Sequence, residues 1–336
     1  MNSPILFLTF NKPNETMRVL SEIKKSKPVK LYIASDHGRE TKQGEMEIVS
    51  KLRKDMLNFV DWNCEVKTLY RERNLGCKIG VSSAIDWFFQ NEEEGIIIEE
   101  DCLPRKGAIE FMEIMLDKYR DNTKVMQVSA TSYVSEKFKD QSYPYSYYFN
   151  LFPLIWGWGT WRRSWSKYDL QMKSYPENKA NDFLKQYFHN PEIKNGFYKV
   201  FDSAYNNQVN TWDYQWLYTC LVNNSYCVEP KNCLVQNIGF IPEATHTEKI
   251  PEFYKHVKFM DMDVTEIKHP ELILHSESLV NFTLRVAYVG DFDFYIFSRN
   301  KIKFFLYRIK LLLKKVLVKL RGYAKKILSR VYRIIR

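Results

Sequence analysis

The chain reads as an α/β protein, a Rossmann-like, mainly parallel sheet flanked by helices, with a basic amphipathic helical tail. Three observations predict this. Short apolar runs alternate with helix-spaced segments through the first 130 residues. Several of those runs end in a polar or charged cluster. The last 36 residues carry 13 Lys and Arg and no Asp or Glu. Alternation of this kind implies parallel strands covered on both faces, with ligands gathering beyond their carboxyl ends. A chain of 336 residues is long enough for one large α/β domain or two small ones.

The elements follow in order. Ile5 to Phe10 is a buried strand, and Asn11-Lys12-Pro13-Asn14 is a turn that opens a helix over Glu15 to Lys25. Val29 to Ala34 is a second strand that runs into Ser35-Asp36-His37-Gly38. A helix over Gln43 to Leu57 leads to a strand over Cys64 to Tyr70. Lys78 to Gln90 has helical spacing, with apolar Ile79, Ala84, Ile85, Phe88 and Phe89. Gly95 to Ile98 is a fourth strand, Ala108 to Tyr119 a helix, and Lys124 to Ser129 a further strand. Beyond residue 130 the alternation breaks. Tyr143 to Trp165 is dense in aromatics, Tyr214 to Leu221 looks helical, Val228 to Gln236 extended, and 240 to 260 a loop.

Charge narrows the function classes. The net charge of +10 belongs to the tail, because the first 300 residues hold 37 basic against 40 acidic side chains. The body therefore has no electrostatic footprint for wrapping nucleic acid. None of the six cysteines forms a C-x-x-C pair, which argues against a zinc ribbon. Their low density fits reduced thiols in a cytosolic compartment, with a disulfide among Cys220, Cys227 and Cys233 as the alternative. The start of the chain lacks a basic region before its apolar run, so no signal peptide is expected there. No uncharged run reaches about 18 residues, so no transmembrane helix is expected.

The sharpest chemical signal is Glu99-Glu100-Asp101, placed directly after the apolar run Gly95-Ile96-Ile97-Ile98. A strand, then carboxylates, then a turn suits a hard divalent cation. Mg²⁺ or Mn²⁺ takes one or two carboxylates plus diphosphate oxygens. Side chains alternate along a strand, so at most two of the three acids share a face. A solvated acidic loop is the plain alternative.

Further motifs follow the triplet in order: Val128-Ser129-Ala130, Leu151-Phe152-Pro153, Trp156-Gly157-Trp158-Gly159-Thr160-Trp161, Thr211-Trp212-Asp213-Tyr214-Gln215-Trp216 and Ala244-Thr245-His246-Thr247. Together they resemble GT-A fold glycosyltransferases, in particular the N-acetylglucosaminyltransferase I group and the bacterial nucleotide-diphospho-sugar transferases related to it. Each motif is loose, and their order and spacing carry the resemblance across roughly residues 4 to 250. It implies that Asp101 binds the metal and that Glu100 approaches the ribose and sugar of the donor. It places Asp36 on the N3–H of a uracil base, where the plain alternative is a helix cap or turn residue. Asn11, at the end of the first strand, belongs to the same nucleotide-binding set. Arg71 and Arg73 fall near the nucleotide, with surface salt bridging as the alternative. Asp213 becomes the general base, in an inverting transfer where a carboxylate takes the acceptor hydroxyl proton during attack on the anomeric carbon. An ordinary helix N-cap is its alternative role.

Trp156 and Trp158 are expected to line a sugar pocket, with glycines letting backbone approach the ligand, or else to form a buried aromatic cluster. Arg162 and Arg163 are candidates to reach the diphosphate, and His246 sits in a loop suited to close over it. On a helical wheel the 301–336 tail puts Ile302, Phe305, Ile309, Leu313 and their successors on one face and all 13 basic residues on the other. Such a helix lies in the interface of an anionic membrane, unless it packs on the body or on a partner or serves as a nucleic-acid-binding tail.

The expected organisation is a GT-A catalytic domain over 1–260, split into a nucleotide-binding half (1–130) and a donor-sugar and acceptor half (131–260). A connecting segment (261–300) and the tail (301–336) follow. The expected function is metal-dependent, inverting transfer from a nucleoside-diphosphate sugar, a UDP-sugar, with Mn²⁺ or Mg²⁺. The acceptor is a glycan or lipid-linked saccharide in cell-surface polysaccharide synthesis, on the cytoplasmic face of the membrane. Two other classes share parts of the pattern. A sugar nucleotidyltransferase calls for a glycine-rich N-terminal loop with a basic finger, which Phe10-Asn11-Lys12-Pro13 is not. A non-enzymatic, membrane-bound carbohydrate-binding protein would use the aromatics and tail without needing carboxylates at Asp101 and Asp213.

Overall fold

Burial on both faces of the first strand sets the architecture. Strand β1 (Ile5–Thr9) is buried at every residue. Ile5 and Phe7 enter one hydrophobic core, while Leu6 and Leu8 enter another. A strand can do this only with helices on both sides. The computed structural model describes residues 3–133, 143–239, 254, 257–275 and 277–284.

The chain continues through α1 (Pro13–Ser26), β2 (Lys30–Ser35), α2 (Glu45–Phe59), β3 (Glu65–Tyr70), α3 (Gly76–Asn91) and β4 (Glu94–Glu99). After a turn come β5 (Cys102–Pro104), α4 (Ala108–Tyr119), β6 (Val125–Ser129), β7 (Tyr147–Asn150), β8 (Trp158–Trp161) and α5 (Arg162–Trp165). Helices α6 (Tyr175–Ala180), α7 (Pro191–Tyr205) and α8 (Asp213–Val222) precede β9 (Tyr226–Pro230), β10 (Val235–Asn237) and α9 (Glu277–Thr283).

Among the described residues eight strands form one sheet in the order β3-β2-β1-β4-β8-β6-β9-β7. The β3-β2-β1-β4 half is parallel throughout. Strand β8 enters antiparallel between β4 and β6. Beyond it, β6 and β9 pair parallel and β9 and β7 antiparallel. The α/β, mainly parallel sheet expected from the sequence is therefore present. Beyond residue 130, where the alternation breaks, the aromatic side chains of Tyr147–Asn150 and Trp158–Trp161 masked the strands β7 and β8.

The two cores differ in chemistry. One lies under α1, α2 and α4 and is largely aliphatic around Ile5, Leu31, Ile33, Ile96 and Ile98. The other lies under α3, α5 and α8 and is built on Trp158, Trp165, Trp212 and Trp216. Burying a large aliphatic or aromatic side chain stabilises a fold by about 1.5–3 kcal/mol each.

A small second sheet pairs β10 with β5 antiparallel, Asn237 opposite Cys102. It brings residues 237–239 against the acidic turn that follows β4. The first compact unit runs from Met1 to Thr283, past the boundary expected at 260. Within it, Lys268 O accepts from Ser146 N at 2.9 Å, and the Thr283 hydroxyl meets the Asn150 amide at 3.0 Å. Residues in the stretch expected to be a connector are thus tied to the sheet. The second unit spans Leu284–Arg336, of which the structure describes Leu284 alone, so the tail expected over 301–336 lies outside the described residues. Among the described residues no helix is long and apolar enough to cross a membrane. All six cysteines are free thiols, which removes the disulfide alternative.

Candidate active site

A cavity of about 750 Å³ opens where β1, β2 and β4 end, bounded by α3 and by the approach to α8. This is the place where open α/β sheets bind ligands. Strand β8 runs antiparallel to β4 with Ile97 opposite Trp158, so the chain enters β8 at the end where β4 leaves. Glu99 and Trp156 accordingly border the same space. Of the residues singled out in the sequence, Asp36, Arg71, Glu100, Asp101, Trp156 and Asp213 line it.

The acidic triplet divides its work. Glu99 is the last residue of β4, and Glu100-Asp101 forms the turn. Glu100 is 7% exposed, and its carboxylate accepts from Phe10 N at 2.6 Å and the Thr16 hydroxyl at 3.1 Å. It therefore closes the β1–α1 connection, a structural role that the resemblance did not imply. Burial raises its pKa to about 7, against those two hydrogen bonds. Burial, then the charges of Asp101 and Asp213, pushes Glu99 up to about 8.

Asp101 carries an ion pair with Lys12, Nζ to Oδ2 at 2.7 Å. Gly239 lies so close that a Cβ there would collide with the Asp101 carboxylate. Burial works to lower the Lys12 pKa, but Asp101, Glu100 and Glu99 outweigh it and hold it above the ordinary lysine range. The ammonium stands in for a cation on an all-oxygen acidic site, and that donor chemistry fits Mg²⁺ or Mn²⁺. Among the described residues no three His, Cys, Asp or Glu side chains converge on one point. A divalent ion at Asp101 would thus need diphosphate oxygens to complete its shell.

Asp36 is saturated. Its carboxylate accepts from the backbone N–H groups of His37, Leu75 and Gly76 and from the Asn74 amide, at 2.9–3.2 Å. A carboxylate has about four acceptor positions, so the acid expected to read a uracil N3–H instead pins the start of α3 to the end of β2. Arg53, which the sequence did not single out, donates to Ser35 O, Asp36 O and Arg71 O and locks the same junction.

Other expectations are corrected by packing. The Asn11 amide donates to Glu45 at 2.8 Å, and Asn11 does not line the cavity. Glu45, held down to about 2 by its hydrogen bond to Arg39, is the hub of that corner. Arg73 is exposed and also off the cavity. Arg71 remains on it, with Nη2 on the Ser83 hydroxyl at 2.6 Å.

Trp158 is fully buried, stacked on Trp212 at 5.7 Å, and is core rather than sugar pocket. Trp156 keeps a half-buried place in the cavity wall, edge-on to Tyr133 and Tyr254. Gly157 (φ +69°) is required because a Cβ would press on Val235 at 2.8 Å, so the close approach is to protein and not to a ligand. Arg162 and Arg163 donate to backbone carbonyls such as Phe89 O and Tyr119 O, away from the cavity. His246 and its Ala244–Thr247 motif lie outside the described residues.

Asp213 is the first residue of α8, lines the cavity and accepts from the Thr211 hydroxyl. Its flanking tryptophans face inward. Trp212 is 2% exposed and Trp216 0%, with the Trp216 indole N–H on Gln127 at 2.6 Å. The W-D-x-x-W spacing thus buries two rings and leaves the acid at the cavity.

The sequence reading missed Lys12, Arg39 and Asn210, all of which line the cavity. Lys12 was legible as the basic residue in the turn after a buried strand; Arg39 and Asn210 lie in loops with no local signature.

No family model and no curated protein sequence matches the chain. Among solved structures, mouse xyloside xylosyltransferase 1 is 10% identical over 66% of this chain and 81% of its own, with a TM-score of 0.31. HddC from Yersinia pseudotuberculosis is 7% identical over 48% and 77%, with a TM-score of 0.30. A UDP-glucose pyrophosphorylase is 9% identical over 67% and 90%, with a TM-score of 0.31. Likenesses this slight carry no functional argument.

Proposed function

We propose that the protein is a glycosyltransferase that uses a nucleoside-diphosphate sugar, with Asp213 as general base. The supporting observation is that Asp213, at the start of α8, and the Lys12–Asp101 pair, at the end of β4, border one cavity. A donor needs cationic groups at its diphosphate and a carboxylate at its anomeric carbon. Lys12, Arg39 and Arg71 supply the first from the nucleotide side. Asp213 would take the acceptor hydroxyl proton, and Trp156 would offer an indole face to the sugar. Glu100 and Asp36 act indirectly by holding the turns that carry Lys12 and α3. Asp101 would hold Mn²⁺ or Mg²⁺ together with the diphosphate, and the ion, when bound, neutralises charge developing on the departing nucleoside diphosphate.

The test is a screen of UDP-hexoses and UDP-N-acetylhexosamines with Mn²⁺, reading UDP release, alongside UDP binding by calorimetry with and without chelator. UDP release with a sugar-nucleotide donor is expected. Formation of sugar nucleotide from sugar phosphate and nucleoside triphosphate, with pyrophosphate released, would instead assign a nucleotidyltransferase. Binding of saccharide with no turnover of either kind would assign a carbohydrate-binding protein.

We further propose that residues 301–336 bind an anionic membrane surface from the cytoplasmic side, so that the acceptor is a lipid-linked or surface glycan. The support is the separation of 13 basic residues from an apolar face. The full chain should sediment with phosphatidylglycerol vesicles, and a chain ending at residue 300 should not. Co-sedimentation of the shortened chain would refute the anchor.

A further inference from the structure

Lys78 is out of place in α3. It is 8% exposed, and among the described residues its ammonium has one partner, Asn207 Oδ1 at 2.7 Å. The side chain is covered up to its ammonium, which meets the amide of the exposed Asn207, and burial pulls its pKa below the ordinary lysine range. The other buried residues of α3 are Ser82, Ala84, Ile85, Phe88 and Phe89, so an apolar side chain would suit the position better.

What the lysine does is reach the stretch leading into α8. Asn207 sits at φ +55°, a left-handed conformation that asparagine tolerates. Lys78 N donates to Asn210 Oδ1 at 3.2 Å. Gly76 (φ +73°) lies where a Cβ would meet the Asn210 amide nitrogen at 3.0 Å. These contacts fasten residues 207–210 to the first turn of α3. Asp36 grips the same turn from β2 through Leu75 N and Gly76 N. Thr211 and Asp213 follow directly.

We propose that Lys78 is a positioning residue for the transfer reaction: through Asn207, and with Asn210 beside it, it holds the approach to α8 against α3 and so sets where the Asp213 carboxylate stands relative to the donor. The inference rests on the assignment of Asp213 as base. A displacement of about 1 Å at a reacting group is enough to lower turnover by about 100-fold.

The experiment compares wild type with Lys78→Met and Asn207→Gly in the full chain. Glycine keeps the left-handed backbone and removes the side chain that the Lys78 ammonium meets. Three readouts are taken: amide hydrogen exchange, UDP affinity by calorimetry, and kcat and KM with the UDP-sugar that wild type turns over. Both variants should exchange roughly tenfold faster at residues 207–214 than wild type, with β1, β2 and β4 unchanged. UDP affinity and donor KM should stay within about threefold, while kcat falls by about 100-fold. The double variant should lose no more than the worse single one, because both break one contact. Unchanged exchange at 207–214, or unchanged kcat in either variant, would overturn the proposal. Losses that multiply in the double variant would also overturn it. If Lys78→Met does not fold, Asn207→Gly decides alone. Failure of wild type to bind UDP or turn over any UDP-sugar overturns the assignment of the site, and this inference with it.

Discussion

Asp36 and Asp213 border the same cavity from opposite halves of the sheet, and the protein uses them differently. Asp36 directly follows a parallel strand, and its carboxylate collects the His37 N–H of its own turn and, from the junction between β3 and α3, the Leu75 and Gly76 N–H groups and the Asn74 amide. Asp213 begins a helix between two rings that the aromatic core pulls inward, and its partner in the turn is the Thr211 hydroxyl. Acids at the ends of the parallel strands hold backbone together, as Glu100 does for the β1–α1 turn, and so does Glu45 for the Arg39 corner. Beside Asp213 the tryptophan core holds the chain by ring packing, with the acid at the cavity.

Three substitutions bear on that contrast. The largest effect is expected at Asp213. Asparagine there should lower kcat by about a thousandfold, within the range of general-base loss, with UDP affinity unchanged by calorimetry. Full turnover would end the distinction between the two acids. Asp36→Ala is expected to act on folding first. Three backbone donors would lose their acceptor, costing about 3 kcal/mol in urea unfolding and freeing the start of α3. If its unfolding curve matched wild type, Asp36 would not be the clamp described.

The smallest effect concerns pH. Glu229 is 1% exposed and accepts from Tyr148 and, at 2.6 Å, from Asn150; burial raises it to about 7 against those bonds. Its folded pKa lies above the unfolded value of 4.5, so the folded state binds more protons between the two. Stability should therefore fall as pH rises from about 4.5 through 7. Glu229→Gln should make the melting temperature flatter across that window. The remaining slope would combine Glu99 and Glu100, raised in the same direction, with an opposing contribution from His269, which burial lowers. A variant as pH-sensitive as wild type would show that Glu229 does not carry the titration.

The sequence alone determined the parallel half, because aliphatic strands alternating with amphipathic helices leave a period that nothing else produces. It also located Glu99 to Asp101 and Asp213 at element ends, since strand ends and helix starts are marked by local residue types. It did not resolve β7 or β8, where Tyr147, Phe149, Trp158 and Trp161 make aromatic content rather than alternation the visible feature. Only the tertiary structure decided what each carboxylate and ring is for. Asp36 and Asp213 are the same chemical group beside the same cavity. Which oxygens meet backbone N–H groups depends on contacts between residues 39 apart, Asp36 with Leu75, that no local pattern encodes. The same holds for Trp156 and Trp158, two residues apart in sequence. One meets the cavity and the other the core, because β8 enters the sheet antiparallel to β4.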